Sequence, residues 1–330
     1  MFLKMKNFFH LLQKGLYMNK LNKKGDKMEQ VKEKVSYWCE DTKQHKIDGR
    51  GIGVAILDTG IAVHPDFDSR IICFKDFVNR QEMLYDDNGH GTHIAGIIGG
   101  SGKLSEGLYS GIAPKCNLLP VKVLDKRGNG EIIRVIEGID WILKNAKKYH
   151  IRVVNISVGT LPNTDKEEEE KLLTAVEEMW DRGLVVVVAA GNYGPQKQSI
   201  TVPGVSKKVI TVGASDDRME LFTIEGRLKD YSGRGPTKEC VMKPDLVAPG
   251  SKIYSCNSRY GKKGRAYTHK SGTSMATPVV SGAVALLLSK YPEMSNIEVK
   301  LRLRQTCVDL GQCKNQQGWG ELCIKELLII

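Results

Sequence analysis

The sequence predicts an α/β fold in three layers, a mainly parallel central sheet with helices on both faces. Three observations carry that expectation. Short apolar runs of strand length alternate with amphipathic segments of helix length. One run, Leu184–Ala190, is almost pure Val, and a strongly apolar segment, Met275–Ser289, follows late in the chain. Strands covered on both faces read as continuous β-branched runs, and parallel neighbours need helical crossovers.

Each element has its own signal. Gly51–Leu57 (GIGVAIL) is an apolar run bounded by glycines, the pattern of a buried strand, and it ends at the turn Asp58-Thr59-Gly60. Asn117–Val123 reads as the next strand. Glu131–Lys148 reads as an amphipathic helix with Ile132, Ile133, Ile136, Ile139 and Ile142 on one face. Ile151–Val158 is a strand, and Asp165–Arg182 a helix whose acidic first turns suit its positive dipole end. Leu184–Ala190 and Val209–Ala214 are further strands, and Met275–Ser289 a central helix. Residues 46–330 read as one domain. Residues 1–45, Lys-rich and without a sustained period, read as a basic N-terminal extension or short pro-segment.

Composition excludes several classes. Hydrophobic residues at 41% and charged residues at 26% are ordinary for a globular chain of 330 residues. No run approaches the roughly 18 uninterrupted apolar residues of a membrane span, so no membrane partner is expected. Of the net charge of +11, residues 1–50 supply +6, from 12 basic and 6 acidic side chains. The surplus sits in the N-terminal segment rather than on a recognition face, so no nucleic-acid partner is expected.

The opening MFLKMKNFFHLLQKGLYMNK starts basic, but His10, Gln13 and Lys14 cut its apolar part and no small-x-small site follows. We read no secretory signal and expect a cytoplasmic location, the alternative being export by a non-classical route. The eight cysteines are then expected as free thiols.

Four segments carry chemistry. In an open parallel sheet, reactive groups gather beyond the carboxyl ends of the strands. Asp58 stands at such an end, where an Asp in a D-T-G turn is structural as often as functional. His90, between Gly89 and Gly91 in DDNGHGTHIAG, can bring its imidazole close to neighbouring backbone. His93 lies three residues on, but no H-E-x-x-H pattern is present, so His90 reads as a base and His93 as a packing residue. Ser274, in SGTSMATP, opens the apolar helix, as a cap or as a hydroxyl beside free backbone N–H groups. Asn192 ends VAAGN, where it is turn chemistry or an amide donor.

Together these segments, in the order Asp58, His90, Asn192, Ser274, resemble the subtilisin family of serine proteases. Ser157-Val158-Gly159, Val247-Ala248-Pro249-Gly250 and Gly318-Trp319-Gly320 add to the likeness, which spans about residues 49–325. YDDNGHGTH, PGVSKKVITVGA and SGRGPT look like the bacterial AprX-type intracellular subtilases.

The resemblance implies a serine endopeptidase of broad specificity acting on protein or peptide substrates through an acyl-enzyme. Asp58, His90 and Ser274 would form the triad, and Asn192 would donate to the oxyanion. It also implies an extended substrate lying between Gly128-Asn129-Gly130 and Ser157-Val158-Gly159, with Thr201 near the base of the S1 pocket. No cofactor or metal is needed for that chemistry. A structural calcium is allowed, but no pattern indicates one, because the loop Gly99–Gly111 lacks the Asn-rich stretch of secreted relatives.

Overall fold

A computed structural model describes residues 27–160, 166–218, 221–223, 226–262 and 264–329. Its sheet has seven strands, all paired in parallel: β1 (Gly53–Asp58), β2 (Lys75–Asp76), β3 (Asn117–Lys122), β4 (Ile151–Ile156), β5 (Val185–Ala189), β6 (Ile210–Ala214) and β9 (Leu246–Ala248), in the order β2-β3-β1-β4-β5-β6-β9. Two antiparallel pairs stand apart, β7 (Leu221–Thr223) with β8 (Gly226–Leu228) and β10 (Ile253–Cys256) with β11 (Tyr267–Lys270). The helices are α1 (Lys27–Lys34), α2 (Glu40–Lys43), α3 (His90–Gly99), α4 (Ile132–Asn145), α5 (Lys166–Asp181), α6 (Thr273–Lys290), α7 (Asn296–Thr306), α8 (Lys314–Gln317) and α9 (Ile324–Leu328). Every expected strand and helix is present within a few residues of its expected bounds. The expected start of α5 at Asp165 lies outside the described residues.

Two residues show how the layers separate. Ser281 of α6 donates to Asn155 Oδ1 of β4 at 2.9 Å, and Asn155 sits opposite Ile56 in register. Side chains alternate along a strand, so Leu57 points to the other face. There it meets α4, where a Cβ on Gly138 would lie 3.9 Å from it. Helices α3 and α6 therefore cover one face, and α4 with α5 covers the other. Helix α6 is long and apolar enough to cross a bilayer, yet 83% of it is buried inside the fold. It runs across β4, β5 and β6 as the central helix.

The domain boundary expected near residue 45 does not coincide with the start of packed structure. Met28, Val31 and Val35, at i, i+3 and i+7, lie buried in the main core with Tyr37. Val35 O accepts from the Ile324 N–H at 2.7 Å, and Asp41 pairs with Lys290 at 2.7 Å. The abundance of lysine masks this packing in the sequence. Lys32 itself turns inward: it is 1% exposed, donates to Ser110 Oγ at 2.6 Å and lies over the rings of Tyr37 and Trp38. Burial pulls its pKa down to about 8. All eight cysteines are unpaired.

Candidate active site

β1 and β4 are neighbours in the sheet, and β5 follows β4. Their carboxyl ends deliver Asp58, Ser157 and Asn192 to one edge, as parallel strands about 4.8 Å apart must. Asp58 is 1% exposed and accepts from the Thr59 N–H at 2.7 Å. Its two carboxylate oxygens lie 2.8 and 2.9 Å from Nδ1 of His90. A nitrogen held between two carboxylate oxygens carries the proton, so Nε2 is left as the basic nitrogen. The His90 side chain is 23% exposed.

His90 is the first residue of α3, and Asp86 holds the start of that helix. Asp86 Oδ1 accepts from Thr59 Oγ1, Asn88 N and Gly89 N at 2.9, 3.1 and 2.6 Å. Its Oδ2 accepts from Thr92 N and Oγ1 at 2.9 and 2.6 Å. The turn after β1 touches the helix so closely that a Cβ on Gly91 would sit 2.2 Å from Gly60 O. Only glycine fits at that contact. His93 is fully buried, bonds to Ile253 O at 3.0 Å, and burial takes its pKa down to about 3. It is a neutral packing residue, as expected.

Ser274 is the second residue of α6. Its hydroxyl donates to Ser157 O at 2.8 Å, and Ser157 Oγ donates to Ser274 O at 3.2 Å. A buried polar chain backs this pair, from Ser281 Oγ to Asn155 Oδ1 at 2.9 Å and from Asn155 Nδ2 to Ser157 Oγ at 2.8 Å. In this conformation Ser274 bonds to Ser157 rather than to His90. Such contacts often tighten only when substrate is bound. Asn192 Oδ1 accepts from Thr273 N and Oγ1 at 2.9 and 3.0 Å. This fixes the amide so that Nδ2 faces Gly272, where a Cβ would lie 3.1 Å from it.

The remaining expected residues fall around this edge. Gly128 and Gly130 lie in the loop after β3, which Asp125 closes by accepting from Arg127 N and Asn129 N at 2.8 and 2.9 Å. Those bonds hold the Asp125 carboxyl below its ordinary pKa. Thr201, 2% exposed, packs between Gly159 and Gly191, where added Cβ atoms would lie 2.7 and 2.4 Å from it. Sequence reasoning missed Asp86, Thr273 and Asn155, which no motif spacing marks out. It also missed Lys122, whose signal was a single cation inside the apolar strand Asn117–Val123.

His64, Asp66 and Cys256 form a buried group of metal-ligating types. Their capacity is spent on the protein. His64 bonds to Ala266 O at 2.9 Å and accepts from Asp66 N at 3.2 Å. Asp66 accepts from Gly102 N, Leu104 N and Tyr267 Oη at 3.1, 3.2 and 2.8 Å. The group anchors the loop Gly99–Gly111 by hydrogen bonds.

Known proteins resemble this chain in sequence and fold. A family model, Peptidase_S8, the subtilase family, matches residues 49–320. Serine protease AprX of Bacillus subtilis (strain 168) is 44% identical over 271 residues, 78% of this chain and 61% of that protein. The chain thus spans about three fifths of that relative. Subtilisin BL of Lederbergia lenta is 35% identical over 274 residues, covering 83% and 89% of the two chains. Two solved structures share the fold. A cold adapted subtilisin-like serine proteinase has a TM-score of 0.67 at 30% identity, over 84% of this chain and 89% of the other. Sphericase has a TM-score of 0.69 at 29% identity, over 84% and 92%.

Proposed function

The chain belongs to the subtilase family, and from that premise we propose that it is a serine endopeptidase with Asp58, His90 and Ser274 as its triad. The observation that carries this reading is the His90 Nδ1 held between both oxygens of a buried Asp58. Nε2 takes the proton from Ser274 as the hydroxyl attacks the scissile carbonyl, and Asp58 stabilises the imidazolium. The acyl-enzyme forms as His90 returns that proton to the leaving amine, and water then repeats the sequence. Asn192 Nδ2 and the Ser274 N–H donate to the oxyanion, and the grip of Thr273 on Asn192 Oδ1 sets that amide before substrate arrives.

Substrates are proteins or peptides, bound extended between Gly128–Gly130 and Ser157–Gly159. Recognition through backbone gives broad specificity. Thr201 shortens the S1 pocket between Gly159 and Gly191. No step calls on a cofactor, and no nucleic-acid or membrane partner is proposed. The location is cytoplasmic, a reading that eight unpaired thiols support.

Labelling with a fluorophosphonate probe tests the assignment. Intact mass should show one adduct, at Ser274, and Ser274→Ala should lose casein hydrolysis by about 10⁶-fold while keeping its fold. A variant that cleaves casein as fast as the parent overturns the reading. The bond from Ser274 to Ser157 O favours a second reading, an inert binding scaffold. A folded parent that takes up no probe would establish that one instead.

A further inference from the structure

We propose that Lys122 is a positioning residue that sets the turn carrying Asp58 against the loop carrying His90. Lys122 ends β3 and is the register partner of Asp58 on β1. It is fully buried, a setting in which an unpaired ammonium is costly. Its stem runs beside Gly60, where an added Cβ would lie 3.3 Å from Cδ. Nζ has three protons, and three acceptors meet it. They are Thr59 O at 2.7 Å, Leu124 O at 2.8 Å and Asp87 Oδ1 at 2.8 Å. The Tyr85 ring lies alongside, its centroid 4.9 Å away.

These acceptors belong to three segments of the site. Thr59 follows Asp58, Asp87 precedes His90 by three residues, and Leu124 opens the loop to Gly128 and Gly130. One ammonium thus ties the two segments whose side chains must meet at 2.8 Å between Asp58 and His90. Displacements of about 1 Å in such a constellation cost about 100-fold in rate. The loop after Leu124 keeps its own closure, with Asp125 N donating to Asn129 O at 2.8 Å. Loss of Lys122 therefore acts on Asp58 and His90 more than on substrate binding.

The inference rests on the proposed roles of Asp58, His90 and Ser274, and the experiment separates the two. Lys122→Met, Asp87→Asn and the double variant are made in the full chain. Their kcat and KM on a peptide p-nitroanilide are referred to active sites titrated with fluorophosphonate. Lys122→Met should lower kcat about 10- to 100-fold with KM within about threefold, and Asp87→Asn should lower it less. The double variant should be no worse than Lys122→Met, because both act through one contact. A folded Lys122→Met with kcat within about twofold of the parent overturns the inference, as do single effects that multiply. Should Lys122→Met not fold, Asp87→Asn decides alone, since its side chain is 36% exposed, and an unchanged kcat there overturns the inference. A parent not labelled at Ser274 overturns the underlying assignment instead.

Discussion

Asp58 meets His90 Nδ1 with both carboxylate oxygens, at 2.8 and 2.9 Å. An amide in its place would offer one N–H to that nitrogen and favour the wrong imidazole tautomer. If Asp58 serves in the proposed triad, Asp58→Asn should lower kcat by about 10⁴-fold, the size of this effect in serine proteases with an Asp-His-Ser triad. KM should hardly move. Steady-state kinetics on a peptide substrate checks this, and a loss of less than about tenfold would remove Asp58 from the triad.

Asn192 presents Nδ2 because Thr273 occupies its Oδ1. Asn192→Ala should cost about 10²–10³ in kcat, with substrate affinity retained. Thr273→Val, which removes one of the two bonds to Oδ1, should cost less and in the same direction. An unchanged turnover in Asn192→Ala would exclude the amide from the oxyanion site.

Thr201 fills space between Gly159 and Gly191. Thr201→Gly should deepen the proposed S1 pocket and shift preference toward large P1 side chains. The ratio of kcat/KM for Phe over Ala at P1 should rise about 10-fold or more, the value of a few methylenes in an apolar pocket. A ratio that stays put would place Thr201 outside S1.

His93 is neutral and buried, its pKa near 3 against an ordinary 6.5. The unfolded chain therefore binds a proton that the folded one refuses. Through His93, stability is full above about pH 6.5 and falls by about 1.4 kcal/mol per pH unit below it, down to about pH 3, and His64, also lowered by burial, adds in the same direction. Urea unfolding in the Ser274→Ala background, which suppresses self-digestion, should show this slope between pH 6 and pH 5. His93→Gln should make it shallower, and an identical slope in both would rule His93 out as a cause.

Lys32 shifts in the same direction and from the same cause, burial taking its ammonium down to a pKa of about 8 against 10.5. Burying the charge costs stability below pH 8, and that cost fades as the pH rises toward 10.5. Lys32→Met should therefore stabilise the fold at pH 7 by about 1–3 kcal/mol. The gain should shrink by pH 10, and thermal melts at the two pH values measure it.

Much of this was legible in the sequence because it lies in local pattern. The Val run of β5 and the apolar α6 betray burial on both sides. Asp58, Asn192 and Ser274 sit at element ends that turn residues announce. The rest depends on contacts across the chain. Nothing near Lys122 in the sequence says that Thr59, Asp87 and Leu124 converge on it. Asp86 lies only four residues before His90, but its tie to the turn after β1 comes through Thr59, 27 residues before it. The lysines of α1 mislead for another reason, since a long side chain can bury its stem and find one partner.

The seam that ties residues 27–45 to α6 and α9 bears on a hazard particular to the proposed peptidase. Its most abundant neighbour in solution is another copy of itself, and cleavage begins where backbone can be drawn out into an extended strand. Val35 is stitched to Ile324, and Asp41 to Lys290. Neither segment is therefore offered as a loose thread, and an attacker must first pull Met28, Val31 and Val35 out of the core. Unfolding of that corner, rather than cutting, would then limit cleavage there by the proposed peptidase.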